Sequence, residues 1–162
     1  MKTLLPLSFL LVAVATACGA PASPSSAHEI HAAAAITVHD AWAAPTPAGV
    51  DVAAGYLTIS NHTDRADRLL GATSPRAARV EIHEMRMNGA VMQMRAVQRL
   101  DLPAGADVQL GPGGMHLMFF GVSDPFAEGQ SIPVHLVFET AGAMDVTLPV
   151  RRRGAPSHGH SG

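Results

Sequence analysis

The chain has 162 residues, 48% hydrophobic and 15% charged, with 11 Lys or Arg against 13 Asp or Glu. A formal charge of −2 with scattered arginines excludes a nucleic-acid interface built on a basic face. The only cysteine, Cys18, lies ahead of the folded part, which excludes a disulfide framework, a Cys-X-X-Cys redox motif, a cysteine zinc site and a blue-copper centre there.

Residues 1–17 read as an export signal: Lys2 supplies charge, Leu4–Val14 is an apolar run, and Ala15-Thr16-Ala17 is a cleavage sequence. The run is too short to span a bilayer as a mature helix. Two fates of Cys18 stay open. Cleavage just before it can leave a lipidated first residue, whereas cleavage after Ala20 or Ala22 removes it. The expected place is therefore the periplasm, at the membrane only if Cys18 carries lipid. Loss of residues 1–17 removes Lys2, leaving ten Arg against thirteen acids, a charge of −3.

Residues 18–33 form a Pro/Ser/Ala linker that carries His28 and His31. One domain is expected over 34–153, with strands at Ile36–Trp42, Ala53–Asn61, Arg68–Ala72, Val80–Met87, Ala90–Val97, Asp107–Leu110, Met115–Phe120, Ile132–Glu139 and Met144–Val150. Turns fall at Pro45–Gly49, His62–Asp67, Leu102–Ala106, Pro112–Gly114 and Ala141–Gly142. Short strands without a helical pattern indicate an all-β sandwich or barrel. Ile132, Val134, Leu136 and Phe138 alternate inward, which turns His135 to solvent. Thr37, His39 and Ala41 share the face away from Ile36 and Val38, His62 sits in a turn, and Trp42 is expected in the core. Arg151-Arg152-Arg153 ends the domain, and residues 154–162 form a tail with His158 and His160. No paired carboxylates, Ser/His/Asp arrangement or phosphate loop is legible, and Gly111–Gly114 precedes a strand rather than a helix, so no enzyme is expected.

Four residues stand out: His83, Met94, His116 and Met118. Thioether sulfur is soft and uncharged, a poor partner for Zn²⁺, Mg²⁺ or Ca²⁺ but suited to Cu(I). Two imidazoles and two thioethers form a neutral set that favours the monovalent ion. Thioethers also survive an oxidising compartment and need no deprotonation, so only the histidines make binding pH-dependent. Asn88-Gly89, midway between His83 and Met94, is a hairpin signal. With those two residues as the loop, Met87 pairs with Ala90, Met85 with Met92, and His83 with Met94. Alternation then puts His83, Met85, Met92 and Met94 on one face and Ile82, Glu84, Gln93 and Arg95 on the other. His116 and Met118, two apart, share a face of their own strand. Methionine on a strand is also ordinary core filler, and Met115, alternating away from His116, is expected to pack inward. Met85 and Met92 either shield the site or hand copper on.

With the spacing His-x10-Met-x21-His-x-Met complete, the chain resembles the periplasmic Cu(A) copper chaperone family, PCuAC. The match runs from about Ile36 to Val150 through DAWA at 40–43, AAGYLTISN at 53–61, ATSPRAARVEIHE at 72–84 and LGPGGMHLMFFG at 110–121. Glu84 stands where the family often has Met. The resemblance implies a cupredoxin-like Greek-key β-sandwich and Cu(I) held by His83, Met94, His116 and Met118. It also implies delivery toward the Cu(A) centre of cytochrome c oxidase, with the apo Cu(A) subunit or a Sco-type thiol protein as partner. A copper storage or resistance protein would carry the same ligands. The histidine pairs at the ends, His28 with His31 and His158 with His160, either capture Cu(II) as a second site or are incidental.

Overall fold

The computed structural model describes residues 35–154. The expected leader, the linker with Cys18, His28 and His31, and the tail histidines His158 and His160 lie outside the described residues. Ten strands follow one another: β1 Ile36–Ala43, β2 Val52–Asn61, β3 Asp67–Thr73, β4 Ala77–Asn88, β5 Val91–Val97, β6 Leu100–Leu102, β7 Asp107–Leu110, β8 Met115–Val122, β9 Ser131–Phe138 and β10 Ala143–Pro149. No helix occurs among the described residues.

The strands hydrogen-bond in the order β1-β2-β8-β4-β3-β9-β10, with β5 on β4, β6 on β3 and β7 on β2. β8 returns to lie between β2 and β4, and β9 returns to β3, the non-sequential neighbours expected of a Greek key. The first and last strands then meet. Ala43 and Val150 form a parallel bridge, and the Arg151 N–H donates to the Ala43 carbonyl at 3.1 Å. The expected all-β sandwich is thus a sheet curled until it nearly closes on itself, which leaves little edge exposed.

Alternation builds the interior. On β9, Ile132, Val134, Leu136 and Phe138 are buried while the residues between them are exposed, because successive strand side chains point to opposite faces. His135 faces solvent and contacts Asp145 across the strand pair at 2.7 Å. Leu117 and Phe119 of β8 face the same core as Leu57 and Ile59 of β2, and Met115 packs against it as expected. The buried side chains of Asn61 and Asp67 are satisfied locally. The Asn61 amide donates to the carbonyls of Arg65 and Leu102 at 2.7 and 3.0 Å and accepts from the Thr63 N–H and hydroxyl. The Asp67 carboxylate accepts backbone N–H bonds from Arg68, Thr140 and Ala141. Burial alone would raise the Asp67 pKa, but those three donors hold it below its ordinary value.

Four sequence expectations are corrected. Leu102 belongs not to a turn but to β6, a strand of three residues whose Leu100 and Leu102 are buried against β3. The hairpin loop is Gly89-Ala90, not Asn88-Gly89: Asn88 pairs with Val91, and Gly89 takes φ 63°. Ala90 has no positive φ, so glycine occupies the first central position that a type II′ turn demands, and the type I′ turn suggested by Asn-Gly is excluded. In β1 the register slips by one residue between His39 and Trp42, where Asp40 adopts φ 51°. This bulge moves Ala41 onto the core side and turns Trp42 away from it, so Trp42 is half-buried outside the core cluster.

Candidate metal centre

The hairpin correction has a simple effect on the four singled-out residues. The true pairing displaces β5 by two residues along β4, so Met94 faces Met85 and His83 faces Ala96. A slip of two, unlike a slip of one, leaves every side chain on its original face. His83, Met85, Met92 and Met94 still share a face, and Met87 joins them. Glu84 and Arg95 pair on the reverse side, their side chains 2.7 Å apart. The expected His83–Met94 opposition is not formed. Met94 is instead the diagonal neighbour of His83, a separation of roughly 7–8 Å between such positions that a long side chain can cross.

The direct partner of His83 is His116. The two are register partners across β4 and β8, with ring centroids 6.0 Å apart. Met118 follows on the same face, opposite Glu81 of β4 and Ala54 of β2. All four residues therefore lie on one outward face of the β5-β4-β8 ribbon, whose reverse carries Ile82 and Leu117 into the core. His116 is 4% exposed and the His83 side chain 12%, whereas Met94 is 44% exposed. Two imidazoles are thus fixed in the sheet, and one thioether sits at its rim.

Hydrogen bonds assign the nitrogens. His83 Nε2 lies 2.8 Å from a Glu81 oxygen, and a carboxylate can only accept, so Nε2 carries the proton. Its lone pair is then on Nδ1, which is buried without a hydrogen-bond partner among the described residues. His116 is arranged the other way: Nδ1 donates to the Gly114 carbonyl at 3.2 Å, leaving the lone pair on Nε2. The same carbonyl accepts the Met85 N–H at 3.1 Å, tying the Pro112–Gly114 turn to the root of the hairpin. Burial pushes the His116 pKa down, against the Gly114 bond, and the charge of His83 lowers it further. Neutral imidazole, the form that coordinates a metal, is thereby favoured. The Glu81 carboxyl is held below its usual range by the His83 bond first and the Arg79 bond second. Arg79 stacks on Phe120 at 4.0 Å, and Phe120 lies 5.6 Å from the His83 ring.

On the other flank Tyr56 is 6.4 Å from His116 and 4.5 Å from Trp42, ring to ring, and Arg151 lies over Trp42. Burial raises the Tyr56 pKa, with Arg153 pulling it back. Among the described residues no group of three or more His, Cys, Asp or Glu is placed to hold an ion.

A family model described as "Putative lipoprotein LpqE-like" matches residues 36–150. The chain belongs to the LpqE-like family. A relative from Leifsonia xyli subsp. xyli, "Putative lipoprotein Lxx21020", is 30% identical over 128 residues, covering 78% of this chain and 76% of that protein. Among solved structures, the copper-bound PCuAC domain from PmoF2 matches with TM-score 0.63 and 27% identity, over 72% of this chain and 92% of that one. Cu(I)-DR1885 from Deinococcus radiodurans matches with TM-score 0.56 and 26% identity, over 70% and 76%. The fold of this LpqE-like chain is that of PCuAC domains.

Glu81, Arg79, Phe120 and Tyr56 escaped the sequence reading. Glu81 stands two before His83 and Phe120 two after Met118, so the same alternation that grouped the four would have placed both beside them. Trp42 was misplaced because no sequence signal marks the bulge at Asp40 other than the tolerance of aspartate for positive φ.

Proposed function

We propose that this chain is an exported copper carrier, not an enzyme, that binds Cu(I) through His83 Nδ1, His116 Nε2 and the sulfurs of Met94 and Met118. The observation that carries the reading is the His83–His116 pair: two neighbouring imidazoles with lone pairs on assigned nitrogens, one of them a buried atom lacking a partner among the described residues, flanked by thioethers. An uncharged N₂S₂ set suits a soft monovalent ion. The copper-bound state of the PmoF2 domain and the Cu(I) state of DR1885 support the same cargo. Four ligands complete a tetrahedron and leave no open position for a substrate, as a catalytic metal would need. The recipient we favour is the apo Cu(A) subunit of cytochrome c oxidase, reached directly or through a Sco-type thiol protein. The lipoprotein names of the relatives support export with Cys18 as lipid anchor, which the mass of the mature protein tests.

Anaerobic Cu(I) competition titration tests the ligand set. Met94→Leu conserves volume at a cost usually under about 1.5 kcal/mol, so a folded variant with clearly weaker Cu(I) binding is expected; wild-type affinity would sink the four-ligand reading. Transfer of bound Cu(I) to an apo Cu(A) domain separates a carrier from a storage protein. A second, Cu(II) site made by His28 and His31 with His158 and His160 is also proposed. Deleting residues 154–162 should lower Cu(II) uptake, and unchanged Cu(II) stoichiometry and affinity would dismiss the tail's part in it.

A further inference from the structure

The register of the β4–β5 hairpin places three more thioethers beside the four-ligand face. Met85 is the direct partner of Met94, and Met87 that of Met92. The two pairs are successive on one face, so four sulfurs form a row running from His83 to the hairpin tip. Exposure climbs outward along it: Met94 44%, Met92 58%, Met87 65%. Core filling therefore does not explain Met87 and Met92, which gain little from being apolar where they stand. Among the described residues β5 pairs with no strand other than β4, so the row lies on a sheet margin open to an arriving ion. Beyond His83, the charged side chains of this hairpin, Glu84, Arg86 and Arg95, pair with one another on the reverse face. Arg79 and Glu81, on the thioether face behind His83, pair with each other, so the row from Met94 to Met87 is itself uncharged.

We propose that Met85, Met87 and Met92 form a second Cu(I) site at the hairpin tip, from which the ion passes to the His/Met centre through Met94. Soft, neutral sulfur selects a monovalent soft cation here as it does in the inner centre. Lacking imidazole and facing water, the outer site is the weaker of the two, as an entry station must be. The transfer is ligand exchange. A copper–sulfur bond to Met87 or Met92 breaks as one to Met94 forms, then His83 and His116 replace Met85. Copper stays monovalent throughout, and neutral imidazoles release no proton. The proposal rests on His83, Met94, His116 and Met118 being the inner ligands.

The test uses the mature chain labelled with ¹³C at the methionine ε-methyls and titrated with Ag(I), a redox-inert stand-in for Cu(I). The first equivalent should shift the methyls of Met94 and Met118, and the second those of Met85, Met87 and Met92. In the triple variant Met85→Leu, Met87→Leu, Met92→Leu, the first step should persist and the second disappear, with an unchanged amide spectrum showing that the fold is intact. Loading from a weak Cu(I) chelate should slow in the same variant. If Met94 and Met118 respond while Met85, Met87 and Met92 stay still at excess Ag(I), the outer site is refuted and the inner one stands. If Met94 and Met118 do not respond at all, the inner ligand set fails and the relay fails with it.

Discussion

Gly55 offers the sharpest test of how tightly the His/Met face is braced from behind. It lies in β2, paired with Ala43 of β1 on one side and Leu117 of β8 on the other. A Cβ added there would stand 2.8 Å from Leu148 Cδ2 and 2.8 Å from Phe119 Cε2. Both side chains are fully buried, so neither can swing into solvent, and the backbone of β2 is pinned by ladders on both edges. Overpacking of this kind costs about 1–3 kcal/mol. The lower entropy of an unfolded alanine chain returns roughly 0.4–1 kcal/mol, so Gly55→Ala should destabilise by about 1–2 kcal/mol. With about 2.1 cal/mol/K of unfolding entropy per residue, the folded domain loses roughly 4 °C per kcal/mol. A drop in Tm of about 4–8 °C by circular dichroism is expected, and Leu148→Val in the same chain should recover part of it. A Gly55→Ala protein that melts with or above the wild type would refute the close approach.

Glu81→Ala should weaken Cu(I) binding by about 10–100-fold, the usual cost of losing the group that orients a metal-binding histidine. Glu81→Gln, whose amide oxygen still accepts from His83 Nε2, should recover much of it in the same competition titration. The lowered pKa of His116 predicts that apo stability is full above about pH 6.5 and declines as pH falls from there toward the folded value, because the unfolded chain takes up the proton first. Urea midpoints between pH 8 and 5 check this, and His116→Gln should flatten the profile. Cu(I) affinity should fall over the same interval as protons compete at His83 and His116, and an affinity that stays flat from pH 7.5 to 5 would remove both histidines as ligands. Asp67→Asn strips an acceptor from the three N–H groups of Arg68, Thr140 and Ala141. A loss of about 1–3 kcal/mol in chemical denaturation is expected.

Much of this was legible because strands have a period of two. Each of the nine expected strands is present, with bounds differing by three residues or fewer, since β-branched and alternating runs end at glycine, proline and asparagine turns. The shared face of His83 and Met94, and separately that of His116 and Met118, followed from parity alone, which explains why the first survived a hairpin register wrong by two. The pairing itself was not legible. Asn88-Gly89 fits a type I′ loop as well as Gly89-Ala90 fits a type II′ loop, and only the packing of β4 against both β5 and β8 decides between them. Nor could sequence reveal that His83 faces His116, because partners across β4 and β8 lie 33 residues apart in the chain and no local rule sets their register. β6 went unread because three residues are too few to show alternation.

The bulge at Asp40 acts on β1 as a frameshift acts on a message. Upstream of it, Ile36 and Val38 point inward; downstream, Ala41 and Ala43 do, and the chain's only tryptophan is set beside Tyr56 instead of among the core side chains. Ala43, fully buried, then meets Val150 where the sheet closes, a seam with room for a methyl group but not for an indole. Flattening the bulge without changing the length would carry the alternation of Ile36 and Val38 straight on, driving Trp42 into that seam and expelling Ala43. Deleting Asp40 would instead remove the surplus residue and leave Ala41 and Ala43 inward. β1 therefore holds one residue more than its ladder needs, and the positive φ at Asp40 absorbs it so that both halves of the strand present the right face.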